Sequence, residues 1–196
     1  MDRHARRLLA ALDREGVLLQ HDQVLPSASA VVAGEPVRGS WWAHPMAHPI
    51  YDALNSIEDD GHAVRVKLVA GKVTMVARRL WPELLSAATE QATWQTARLT
   101  EADRRLLARV EQSTEPLVLD KGTREAGRRL EPTLLVFTDE VHLPSGRHAK
   151  ALLGWDRWAS SHGIEASASA ARARASIEAI VGRWGSSRWL LPWPPS

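Results

Sequence analysis

The pattern from Val64 to Ala77 constrains this chain more than any other stretch. With Val69-Ala70-Gly71-Lys72 as a loop, Leu68 faces Val73, Val66 faces Met75 and Val64 faces Ala77 on one apolar face, while Arg65, Lys67, Thr74 and Val76 occupy the other. Gly71 suits a left-handed loop position, and the alternation selects the register, because a slip of one residue exchanges the two faces. Between Arg65 and Arg79 stand Arg65, Lys67, Lys72, Arg78 and Arg79, five bases with no acid among them. A run of that kind is a candidate phosphate-contacting surface.

The hairpin belongs to a longer stretch, Gly39 to Leu85, that also holds three of the nine Trp and two His-Pro dipeptides. His48 as N-cap and Pro49 as first helical residue predict a helix with Ile50, Leu54 and Ile57 on its buried face. Glu58-Asp59-Asp60-Gly61 ends it, and carboxylates at a helix C-terminus call for a basic neighbour or for solvent. His44 and His48 are four apart, the spacing of two metal ligands on one helical face, but Pro45 and Pro49 flank them and no carboxylate completes the motif. Structural or ligand-contacting histidines are the better expectation. Trp41 and Trp42 fit a core or pocket wall; exposed beside a basic hairpin, paired indoles would instead offer a stacking platform for a base.

Elsewhere the pattern is mostly helical. His4–Glu15 reads as a helix stopped by Gly16, and Ser27 caps a short helix that stops at Gly34. Pro82 opens a helix through Ala88, and Thr100-Glu-Ala-Asp103 is a capping-box start for the helix of Leu106, Leu107 and Val110. Thr123 opens another that carries Arg124, Arg128 and Arg129 and closes at Pro132. Thr133–Thr138 and Arg147–Leu152 read as strands around a Pro144-Ser145-Gly146 turn. Trp155 and Trp158 share a helix face, an Ala-rich helix runs from about Ile164 to Val181, and Trp189 and Trp193 lie in an irregular tail that docks back or meets a partner.

Together these elements predict an α+β fold, winged-helix-like at least in its second half, with two short β-hairpins. The expected division is 1–95, holding the first helix, the Trp/His-Pro segment and the basic hairpin, and 96–196, holding the winged-helix-like region, the Ala-rich helix and the tail. Composition narrows the chemistry. The chain has no Cys, which excludes disulfides, thiolate metal sites and cysteine nucleophiles. Its formal charge is only +2, so clusters of Arg are more informative than their number. No phosphate loop, nucleophile elbow or dinucleotide fingerprint is present, and no cofactor or metal is expected. Without a long apolar run, no membrane span and a cytoplasmic location are expected.

Helix, Gly16, the short apolar run Val17-Leu18-Leu19 and then Gln20-His21-Asp22 resemble the catalytic region of the AlkZ-type winged-helix DNA glycosylases, which excise bulky N7-alkylated purines and repair crosslinks. The resemblance covers roughly residues 5 to 30 and, more loosely, the order of elements after Thr100. His21 stands where the family has an aliphatic residue. The resemblance implies that Asp22 stabilises a developing oxocarbenium or activates water and that Gln20 orients it. The Gly-Ser-Trp-Trp-x-His-Pro segment is similar to bacterial proteins without an assigned function and carries no chemistry.

The first expectation is therefore a double-stranded-DNA-binding protein connected with DNA repair. Phosphates would meet Arg65, Lys67, Lys72, Arg124, Arg128 and Arg147, and Trp41, Trp42, His44 and His48 would line a pocket or contact a base. The alternatives are a small DNA glycosylase built on Gln20 and Asp22 and a protein-binding module using the C-terminal Trp/Pro tail.

Overall fold

The computed structural model describes residues 1–142, 146, 148–167, 169–185 and 190–194. It is a mixed α+β protein with two three-stranded antiparallel sheets. The chain divides into two compact units, Met1–Trp81 with Ala175–Leu191, and Pro82–Arg174 with Pro192–Ser196. The division thus falls at Trp81/Pro82 instead of near residue 95, and a C-terminal segment returns to the first unit.

In the first unit, Asp2 accepts the Ala5 N–H at 2.7 Å to start α1 (Arg3–Glu15), whose Leu8 and Leu12 are fully buried. Gly16 ends it at φ 84°, and a Cβ there would come within 2.8 Å of the Arg79 guanidinium and 3.2 Å of Ile180, so the position requires glycine. Next come β1 (Val17–Leu19), α2 (Ala28–Ala33) capped by Ser27, and a 3-10 turn at Trp41–Ala43. They are followed by α3 (Ala47–Asp59), β2 (Ala63–Lys67) and β3 (Val73–Ala77). The sheet order is β1-β3-β2. Leu18, Met75, Ala63 and Ala77 pack with Leu8, Leu12, Ile50 and Leu54 in one core cluster. Val17, Leu19, Val64 and Val76, on the opposite face, are buried as well.

That double burial corrects the register expected from alternation. Val66 pairs with Thr74, Arg65 with Met75 and Lys67 with Val73, one residue away from the expected alignment, and the connection is Leu68–Lys72. The cause is Thr74. Its fully buried hydroxyl accepts the Val69 N–H at 3.0 Å and donates to the Lys72 carbonyl at 3.0 Å, closing the connection from inside. A 3-10 turn at Val69–Gly71 absorbs the extra residue, with Ala70 at φ 53°.

The second unit contains α4 (Trp81–Ala88) from Pro82 on, α5 (Thr93–Thr96), α6 (Glu101–Gln112), β4 (Leu117–Val118) and α7 (Arg124–Leu130). The hairpin β5 (Phe137–His142) and β6 (His148–Leu153) follows, then α8 (Trp155–His162) and α9 (Ala170–Gly182), whose last turns, from Ala175, belong to the first unit. Thr100 and Asp103 form the capping box of α6 as expected. Asp103 also binds Arg129 of α7 at 2.8 Å with its own side chain 1% exposed, so one carboxylate caps one helix and holds the next. Leu106, Val110, Ala126, Leu130 and Leu152 form the core beneath.

Two expected elements start later than the sequence suggests. The strand expected from Thr133 begins at Phe137, because Glu131–Thr133 forms a 3-10 turn and Leu134 is left-handed, with its carbonyl taken by the Trp155 indole at 2.6 Å. The helix expected from Ile164 begins at Ala170, because Ser167 is spent on α4, bonding Pro82 and Ser86. One helix, α7, stands between β4 and β5 where a winged helix has two. In the tail, Trp193 is buried, edge-on to Trp94 at 5.6 Å, and so is not an exposed partner anchor; Trp189 lies outside the described residues. Among the described residues, no helix is long and apolar enough to cross a membrane.

Candidate nucleic-acid interface

The loop after β1 is organised by main-chain and side-chain bonds together. The Gln20 N–H donates to the Val73 carbonyl at 2.8 Å and its carbonyl accepts the Ser29 N–H at 3.1 Å, which fixes Gln20 between β3 and α2. His21 then spans outward. Its Nε2 lies 2.8 Å from the Gly39 carbonyl and its Nδ1 2.9 Å from the hydroxyl of buried Ser29. A carbonyl only accepts, so Nε2 carries a proton and donates it to Gly39. His21, where the resembled family has an aliphatic residue, thereby anchors the segment that leads into the Trp pair.

The pair itself is split in exposure. Trp41 is 7% exposed and Trp42 59%, and their rings stack at 4.0 Å with an interplanar angle of 26°. Tyr51 of α3, 42% exposed, sits 5.5 Å from Trp42. A buried indole thus props up an exposed one. Tyr51 was not among the expected site residues; its one signal is its position three residues after His48, off the apolar face of α3.

The two histidines do different things. His44 is extended, ahead of the helix, and its Nδ1 accepts the Met46 N–H at 3.2 Å while its carbonyl accepts the Ala47 N–H at 2.9 Å. His44 therefore helps start α3, whose N-cap is Met46 instead of the expected His48; His48 lies exposed within the first turn. The helical metal spacing is not realised. Among the described residues no group of three His, Cys, Asp or Glu is placed to hold a metal.

Both carboxylate oxygens of Asp22 are engaged within the protein. Oδ1 accepts the Val24 and Leu25 N–H groups, both at 2.9 Å, and Oδ2 meets the Lys72 ammonium at 2.6 Å. Partial burial opposes ionisation, but the Leu25 N–H, the Lys72 ammonium and the Val24 N–H outweigh it and hold the carboxyl at about 2. A carboxylate so acidic is a poor general base at neutral pH. An open cleft of about 380 Å³ adjoins it, lined by Leu25, Pro26, Val31 and Pro36 among others.

The hairpin bases are engaged within the protein. Arg65 pairs with Glu58 at the acidic end of α3, which supplies the basic neighbour that end requires. Lys72 pairs with Asp22, and Arg78 donates to the Gly61 carbonyl at 3.1 Å and lies 4.8 Å over the Trp81 ring. Arg79 donates to the Asp13 carbonyl at 3.3 Å, and Lys67 is also partnered. On α7 of the other unit, Arg128 is exposed and 3.6 Å from Glu125, whereas Arg124 is exposed without an ion pair among the described residues. Arg147 lies outside the described residues. The bases expected on the first unit therefore do not form a free basic surface; what that unit offers is an aromatic platform. No protein-family profile, curated protein or solved structure matches this chain.

Proposed function

We propose that the chain binds DNA at an unpaired or extruded base, with Trp42 as the stacking surface. The observation that carries this reading is the exposed Trp42 indole stacked on buried Trp41 at 4.0 Å. A base has a π-face to offer such a ring only when it leaves its own stack. The element order of the first unit supports the reading further. We read the succession α1-β1-α2-α3-β2-β3, with strands ordered β1-β3-β2, as winged-helix-like. In that reading α3, with His48, Tyr51 and Asp52 exposed, is the helix that meets DNA. The reading carries with it a cytoplasmic protein concerned with damaged or distorted DNA. Base excision by Gln20 and Asp22 draws no support from the geometry, since both carboxylate oxygens are taken and Lys72 cancels the charge.

Because the hairpin bases already have partners, binding should release few counterions and depend weakly on salt. The test compares a fluorescent duplex carrying one unpaired base with its fully paired counterpart over a salt series. Trp42→Ala should weaken binding to the unpaired-base duplex by roughly 5- to 100-fold, the range of one lost base stack, and change the paired duplex little. Equal binding by Trp42→Ala and wild type, or no binding to either duplex at low salt, would overturn the reading.

A further inference from the structure

We propose a second site, independent of the first: His142 and His148 form a two-imidazole site for a divalent d-block metal ion. The register of β5 and β6 sets these residues directly opposite each other at the end of the hairpin where the two strands are connected. Their rings lie 4.0 Å apart, centroid to centroid, and both side chains are exposed. Neither ring has a hydrogen bond or ion pair among the described residues, and the two rings contact each other. This separates them from His21, His44 and His162, whose ring nitrogens are occupied by main-chain or hydroxyl groups.

Two adjacent imidazoles without another task match the chemistry of Cu²⁺, Ni²⁺ and Zn²⁺, which favour nitrogen ligands, and not that of Mg²⁺ or Ca²⁺, which favour oxygen. Metal–nitrogen bonds of about 2.0–2.1 Å require the centroids to part by about an ångström, a motion that side-chain rotation supplies at an exposed hairpin end. With no third protein ligand among the described residues, water fills the remaining positions. The site is therefore exchangeable, and among these ions Cu²⁺ should bind most tightly. The next cross-strand pair on the same face is Glu140 and Lys150, and Lys150 reaches Glu131 at 3.1 Å, which takes its ammonium to a carboxylate.

The test is isothermal titration of the full chain with Cu²⁺, Ni²⁺, Zn²⁺ and Mg²⁺, with circular dichroism to verify that each variant is folded. Wild type should bind one Cu²⁺, Ni²⁺ or Zn²⁺ per chain at this site and show no response to Mg²⁺. His142→Gln and His148→Gln should each weaken that binding at least tenfold, to a similar degree, while Glu140→Gln and His48→Gln leave it unchanged. Absence of Zn²⁺, Ni²⁺ and Cu²⁺ binding up to millimolar concentration would overturn the proposal. So would undiminished binding in either histidine variant, or a loss in His48→Gln as large as in those variants.

Discussion

The two sheets have the same strand order, first-third-second, and opposite surroundings. In the first, β3 is buried on both faces, and Arg65, Lys72, Arg78 and Arg79 end on a carboxylate, a carbonyl or an aromatic ring. In the second, β5 and β6 are buried at Phe137, Ala151 and Leu152 and exposed at Glu140, His142, His148 and Lys150. A hairpin rich in bases thus turned out to be internal framework, while the one with fewer bases presents side chains without internal work. Charge counted along a strand does not measure charge offered to a ligand. What decides is whether the other elements of the unit bring acids and carbonyls within reach.

The sharpest way to break the comparison is to attack the fastening of the second unit. Asp103→Ala removes a buried ion pair and the α6 cap at once and should cost about 2–4 kcal/mol, the half-exposed Arg129 keeping the figure below that of a fully buried pair. Urea unfolding monitored by near-ultraviolet circular dichroism would measure it. A loss under 1 kcal/mol would mean that α6 and α7 are held by their apolar core alone.

Acid should act next, on the first unit. Asp22 is held at about 2, below its ordinary value of 3.8, so its contribution is complete above about pH 4 and is lost as pH falls through the folded value. The effect amounts to about 2 kcal/mol, and it should disappear from the pH profile of Asp22→Asn. If wild type and Asp22→Asn lose stability in parallel between pH 4 and 2, the Lys72 pairing does not anchor the loop. The smallest effect is expected from Arg128→Ala on α7, where both partners of the pair are exposed: within about 0.5 kcal/mol, and vanishing in 0.5 M salt. Thermal unfolding at two salt concentrations would sharpen the contrast between pinned and solvated bases.

Much of the fold was legible because its signals are local. Gly16, Ser27 and the Thr100–Asp103 box mark helix ends through bonds to residues at most four away, and the structure has each in place. The first hairpin was legible as a hairpin, but its register was not. Alternation presumes one solvated face, and here Thr74 turns inward to close the connection, which no pattern of apolar residues announces. The cap of α3 was misplaced for a similar reason, since His44 accepts the Met46 N–H from outside the helix. At the candidate interface, sequence could pair Trp41 with Trp42 but could not tell which ring packing would bury. Nor could it foresee that Lys72 meets an aspartate fifty positions earlier, or that Arg79 finishes on a carbonyl of α1.

The end of α1 has a consequence for how the chain is made. Its last carbonyls are held by Arg79 and, at 2.9 Å from Glu15, by Arg183, and Gly16 is approached by Ile180. On the ribosome, the whole stretch from Pro82 to Arg174 must be synthesised before the residues that complete the first unit emerge. Both units are therefore completed only by the last residues made, the first by Ala175–Leu191 and the second by Pro192–Ser196, so neither can close before the chain is nearly finished.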